Sequence, residues 1–140
     1  MGYSPAFVRN FSRVVSALRG PQGDQTRVRV IGEADDICAP CPHRRGNGCE
    51  SQERVLQLDR AHARALGVRP GDVLTWGKAR RLIRERISPS RFDTICTPCR
   101  WQRLGICRAA LKQLRAESMK RANGAPTPRT PAQSSTPRPT

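Results

Sequence analysis

Six cysteines stand in two matching sets. From Asp36 to Cys49 the chain reads D-I-C-A-P-C-P-H-R-R-G-N-G-C, and from Thr94 to Cys107 it reads T-I-C-T-P-C-R-W-Q-R-L-G-I-C. Each is a C-x2-C-x7-C array with isoleucine before the first cysteine, x-Pro inside the first pair and a glycine shortly before the third cysteine. Two cysteines two residues apart can turn both sulfurs toward one metal. Proline fixes the backbone of such a turn and removes a competing donor, and glycine lets the chain double back. Thiolates bind zinc and iron strongly. The arrays therefore predict metal ligands at Cys38, Cys41, Cys49, Cys96, Cys99 and Cys107, with an iron–sulfur cluster as the cofactor and zinc as the alternative. Redox dithiols and structural disulfides are the competing readings of the same residues.

Each array is one ligand short, because zinc sites and cubane clusters usually take four protein ligands. One site could draw four cysteines from both arrays, or each array could recruit a fourth ligand. His43, inside the first array, is the candidate for that role. His62 falls on a helix face, where a packed or surface histidine is the plainer reading. A three-cysteine cubane with an open iron is a third arrangement. Arg44, Arg45, Arg100, Arg103 and Arg108 flank the cysteines and could offset the negative charge of a cluster. No phosphate-binding glycine loop, nucleophile elbow or carboxylate pair is visible, so no catalytic residue is assigned. Trp76 and Trp101 read as packing residues, with Trp101 shielding the site from water.

The elements that must position these residues are mainly helical. Ser4-Pro5 is a capping signal for a helix carrying Phe7, Phe11, Val14, Val15 and Leu18 on one face, a stripe expected in the core, before Gly20-Pro21 stops it. Thr26 to Ile31 alternates as a short strand. Glu50 to Leu66 predicts a helix closed by Gly67, with Val55, Leu58, His62 and Leu66 sharing a face. Arg69 to Asp72 is a turn, Val73-Leu74 a brief extended segment, and Thr75 the cap of a helix from Trp76 to Ile87. Ser88-Pro89 starts a short helix into the second array, and a last helix follows Cys107 to about Ala122. The expected fold is mainly α with a small β element (α+β), a small single domain over residues 1–120 organised around two cysteine-rich loops. Residues 121–140, rich in proline, serine and threonine, are expected to be a disordered tail.

Composition narrows the class. Of 140 residues, 36% are apolar and 4% aromatic, which supports only a modest core. No apolar run approaches the roughly 20 residues that span a bilayer, and the N-terminal residues do not form a signal peptide. The expectation is a cytoplasmic protein without membrane contact, in a compartment where cysteines serve as ligands or redox thiols. The net charge is +15, with 23 arginines and 3 lysines among 26 basic residues. Such a charge fits a polyanion such as nucleic acid, but the arginines are spread along the chain, as on ordinary solvated faces.

Taken together, G-Y-S-P-A-F-V (Gly2 to Val8), D-D-I-C-A-P-C-P-H with G-C (Asp35 to Cys49), L-G-V-R-P-G-D-V-L-T-W (Leu66 to Trp76) and I-C-T-P-C-R-W with L-G-I-C (Ile95 to Cys107) resemble one small prokaryotic family, domain of unknown function 1284. The resemblance runs from about Met1 to Leu114. It implies a bacterial iron–sulfur protein with the six cysteines as ligands, and it implies no particular activity. Members of that family carry an Arg-x-His-His-x-x-Cys-like segment ahead of the Gly-Tyr-Ser stretch. The sequence here lacks it, which raises the expectation that Met1 is an internal methionine. An upstream segment would then supply a seventh cysteine and histidines, and an in-frame stop codon directly before Met1 would count against it. Two functions are expected: an iron–sulfur protein of electron transfer or cluster handling, with an unknown redox or protein partner, and, as the alternative, a zinc-stabilised basic module on nucleic acid. A thiol redox enzyme ranks last, for want of a thioredoxin-like strand–helix context.

Overall fold

The first helix, α1, is capped as its sequence predicts. Ser4 Oγ accepts a hydrogen bond from Phe7 N at 3.2 Å, and Pro5 occupies the first helical position. In the computed structural model, which describes residues 3–123, α1 spans Pro5–Arg19 and Gly20 ends it. A 3-10 turn at Gly23–Gln25 then folds back beneath α1. The approach at that corner needs glycine: a Cβ on buried Gly23 would stand 1.9 Å from the carbonyl oxygen of Leu18.

Strand β1 (Arg27–Arg29) lies within the segment predicted as a strand. It pairs antiparallel with a strand more than forty residues later, β4 (Val73–Thr75), in the register Arg27↔Thr75, Val28↔Leu74 and Arg29↔Val73. Val30 N–H to Asp72 O (2.9 Å) and Trp76 N–H to Thr26 O (2.8 Å) extend the ladder at its two ends. Between these strands lie a hairpin, β2 (Arg44–Arg45) with β3 (Gly48–Cys49), and the helix α2 (Gln52–Leu66). Gly67 closes α2 in the left-handed conformation, at φ 70°.

Three helices complete the chain: α3 (Trp76–Arg86), α4 (Pro89–Ile95) and α5 (Ile106–Asn123). Thr75 Oγ1 accepts from Lys78 N, and Ser88 Oγ accepts from Arg91 N, each at 3.2 Å. The mainly α fold with a small β element is therefore the one expected. The expected domain boundary after residue 120 falls inside α5, and residues 124–140 of the expected tail lie outside the described residues.

The core is small and is drawn from α2 and the segments after it. Ala65 of α2, Ile87, Phe92 of α4, Cys96 and Leu111 of α5 are its buried members among the described residues. Leu66, Ile83, Ile95 and Cys99 pack around them. The α1 stripe departs from expectation: no residue of α1 is buried, and Phe11 is 45% exposed. A periodic stripe is buried only if a second layer covers it. Here α1 rests on the 3-10 turn and the first cysteine loop, and its aromatic rings stack on one another.

Two substitutions separate these features. Gly23→Ala should cost about 1–3 kcal/mol through overpacking against the α1 backbone. Gly20→Ala, whose Cβ would meet nothing nearer than 3.4 Å, should cost far less. Urea unfolding followed by circular dichroism gives both values, and equal midpoints would contradict this account of the corner.

Candidate metal centre

The two arrays share one local structure at their first pair. Cys41 N–H donates to Cys38 O at 2.9 Å, and Cys99 N–H donates to Cys96 O at 2.8 Å. Each C-x-P-C segment is thus a single closed turn carrying two sulfurs. The entries to these turns differ. Asp35 Oδ1 accepts from Ile37 N (2.9 Å) and Cys38 N (3.1 Å), so a side chain sets the first turn. The second turn simply continues α4, with Cys96 N–H donating to Phe92 O at 3.0 Å.

The arms leading to the third cysteines begin alike, with Arg44 N–H on Cys41 O (3.1 Å) and Gln102 N–H on Cys99 O (3.2 Å), and then diverge although their sequences are spaced alike. In the first array the arm is the β2–β3 hairpin. Gly46 takes φ 55° at the first position of a two-residue loop, the conformation a tight hairpin of this kind demands. In the second array the arm is a 3-10 turn (Gln102–Leu104), a left-handed Gly105 at φ 72°, and the start of α5, so Cys107 is helical. The hairpin is an element that the sequence pattern does not predict. Its one signal was the Gly-Asn dipeptide, without the alternating flanks that mark longer hairpins.

Polar contacts hold both arrays. Asn10 of α1 donates from Nδ2 to the carbonyl oxygens of Asp36 (2.8 Å) and Ile37 (3.4 Å), and Arg13 fixes Asn10 Oδ1 at 2.9 Å. Cys49 N–H donates to Gln52 Oε1 at 2.8 Å, and Ser51 N–H points at Cys49 Sγ at 3.5 Å. In the second array Asp93 is the brace. Its carbonyl accepts from Thr97 Oγ1 and Gln102 Nε2, each at 2.9 Å, and its carboxylate pairs with Arg108 at 2.7 Å.

Tyr3 stands beside both arrays. Its ring stacks on Phe7 with centroids 4.3 Å apart and meets Trp101 edge-on at 5.4 Å. Partial burial raises the Tyr3 phenol pKa. Negative charge on Cys41, Cys49 and Cys99 would raise it further, against a lowering effect of Arg100. Cysteines of both sets therefore lie within electrostatic reach of one ring. Trp101 is not the buried packing residue expected from its position: it is 54% exposed and touches Tyr3 at the surface.

All six thiols are free, with Cys96 buried, Cys107 exposed and the other four half-buried. Burial pushes the Cys96 thiol up, and the charges of Cys99, Cys107 and Asp93 add to that. Burial likewise raises Cys38, against the lowering effect of its backbone contact with Asp35. Among the described residues, no three Cys, His, Asp or Glu side chains converge closely enough to hold one ion. His43 Nδ1 lies 2.8 Å from Glu50 Oε2, and Glu50 also pairs with Arg45. His62 is the histidine brought to a cysteine, with Nε2 3.5 Å from Cys96 Sγ. Of the flanking arginines, Arg45 and Arg108 are already paired with carboxylates, and Arg44 is bonded to Gly46 O.

The family model described as "Protein of unknown function (DUF1284)" matches residues 2–105. The chain belongs to that family. The DUF1284 match covers both C-x-P-C turns and stops just short of Cys107. No curated protein and no solved structure matches the chain. Among the described residues, no helix of this DUF1284 protein is long and apolar enough to cross a membrane.

Thiol chemistry should follow this geometry. A raised thiol pKa leaves less thiolate at a given pH, and the thiolate is the reactive form. With iodoacetamide at pH 8 under argon, Cys107 should be alkylated first and Cys96 last. The Cys96 rate should keep climbing above the ordinary thiol range near 8.5. Peptide mass spectrometry gives the order, and early labelling of Cys96 would contradict it.

Proposed function

We propose that this DUF1284 protein binds metal through Cys38, Cys41, Cys49, Cys96, Cys99 and Cys107. In this reading it is a small cytoplasmic iron–sulfur protein serving electron transfer or cluster handling with a redox or protein partner. The observation that carries the reading is the repeated turn. Twice the chain closes a C-x-P-C loop with the same backbone bond, leaving two free sulfurs on each. The Ser51 N–H aimed at Cys49 Sγ adds a donor of the kind that tunes a metal-bound thiolate.

The donor set fits such a group in its chemistry: soft sulfur ligands in two arms, with Arg100 nearby to offset charge. A cluster would supply one-electron chemistry. The chain's own residues would hold it, limit its exposure through the Tyr3–Trp101 ring pair, and fix the loops through Asn10, Asp35 and Asp93. The small core also supports the reading. Structural zinc binding contributes about 10–16 kcal/mol at neutral pH in zinc-finger peptides, as large as the typical net stability of about 5–15 kcal/mol.

A zinc-stabilised basic module on nucleic acid is the second reading. It is favoured by the +15 charge and by a groove of about 330 Å³ whose lining includes Lys78, Arg80, Arg81 and Arg84. Asp24 and Glu117 line the same groove and pair with Arg80, which lowers its pull on phosphate.

Purification under argon distinguishes the readings. The iron–sulfur protein should be brown, with broad visible absorption and acid-labile sulfide, and stripping its iron with a chelator should lower the thermal midpoint. A colourless protein with stoichiometric zinc, and nucleic-acid affinity falling steeply with salt, would replace it by the second reading. Protein without either metal would discard both.

A further inference from the structure

We propose that His62 is a metal ligand that shares one metal atom with Cys96, making the second array a three-cysteine, one-histidine site with Cys99 and Cys107. This rests on the metal-binding reading above and names the missing fourth donor of one array.

Three observations carry it. The first is the distance. With sulfur about 2.3 Å and nitrogen about 2.0–2.1 Å from a tetrahedral ion, the two donor atoms stand about 3.5 Å apart. Cys96 Sγ and His62 Nε2 are 3.5 Å apart. The second is the ring's other nitrogen. His62 Nδ1 lies 2.7 Å from the carbonyl oxygen of Leu58, one turn earlier in α2. An acceptor there holds the proton on Nδ1 and leaves the Nε2 lone pair facing Cys96. Metal-binding histidines are oriented by this same kind of outer contact. The third is rigidity. Cys96 and Ala65 are buried in the common core, and Leu66 and Cys99 pack against it, so α2 and the second turn hold the pair together.

No third donor converges on the pair as it stands, so Cys99 and Cys107 must close in on the bound atom. Cys99 belongs to the same closed turn, and exposed Cys107 lies at the start of α5. The geometry also restricts the cofactor. An iron at the corner of a cubane is bound by three bridging sulfides and one protein ligand, which leaves no place for both Cys96 and His62. A single ion, or an iron of a two-iron cluster, accepts both.

The test is NMR of untagged protein labelled with 15N-histidine, titrated with cadmium-113 chloride under argon, with near-ultraviolet thiolate–cadmium absorption followed in parallel. The chain has two histidines, His43 and His62, so the spectrum is simple to assign. The proposal expects the His62 Nε2 resonance to shift and split by coupling to cadmium as the thiolate band saturates. His62→Gln should weaken cadmium binding at least about tenfold, the lower end of what even outer-shell partners contribute. A thiolate band that saturates while His62 Nε2 stays unmoved would overturn the role of His62 and leave the metal-binding reading standing. Coupling at His43 alone would do the same. Absence of any thiolate–cadmium band would overturn the metal-binding reading itself, and this inference with it. The spectrum of the unmutated protein decides the matter even if His62→Gln fails to fold.

Discussion

Cys96 packs with Ala65, Ile87, Phe92 and Leu111 in the one buried cluster of the described residues. A cysteine of the candidate metal centre is therefore also a core residue, and the fold and the site cannot be separated. The helix that carries Phe92 ends at Cys96, and α2, which contributes Ala65, also presents His62 to that sulfur. The packing of α2 on α4 thus fixes both the apolar contact and the polar one. A core with so few buried side chains gains little from burial alone, at about 1.5–3 kcal/mol for a large apolar side chain. In such a chain, anything that ties the cysteine arms together weighs heavily in the total.

The two arrays are equal in sequence and unequal in setting. The second is anchored in the core and ends in a long helix. The first lies toward the surface, held by Asn10 from α1, by the Asp35 side chain and by Gln52 at the start of α2. Their shared part is the C-x-P-C turn, where proline and the short spacing leave little freedom, and the turn that follows it, closed by Arg44 N–H on Cys41 O and by Gln102 N–H on Cys99 O. Beyond it, the β2–β3 hairpin and the 3-10 arm are different solutions to bringing a third cysteine back. The Tyr3–Trp101 contact and the charges around Tyr3 set the N-terminal aromatic cluster beside both.

Most helix starts were legible because capping is local. Ser4, Thr75 and Ser88 each accept a bond from an N–H three residues on, and proline follows two of them directly. Gly67 closes α2 for the same local reason, a left-handed backbone that favours glycine. The cysteine arrays, the family resemblance and the mainly α class were likewise legible, because they depend on residue types at fixed spacing. The α1 stripe stays unburied, against the expectation from its spacing, because periodicity states which residues share a face and says nothing of whether another layer covers it.

The sequence by itself determined the six cysteines, their two turns and the helices around them, since every signal for these acts within about four residues. Only the tertiary structure decided which histidine meets a cysteine. His43 lies inside an array and pairs with Glu50, while His62 sits 34 residues from Cys96 and reaches it. Contacts over such separations depend on how helices pack, and packing is settled by the whole chain at once. The same reason explains why two like-spaced arms became a hairpin and a helix: their spacing was local, and their surroundings were not.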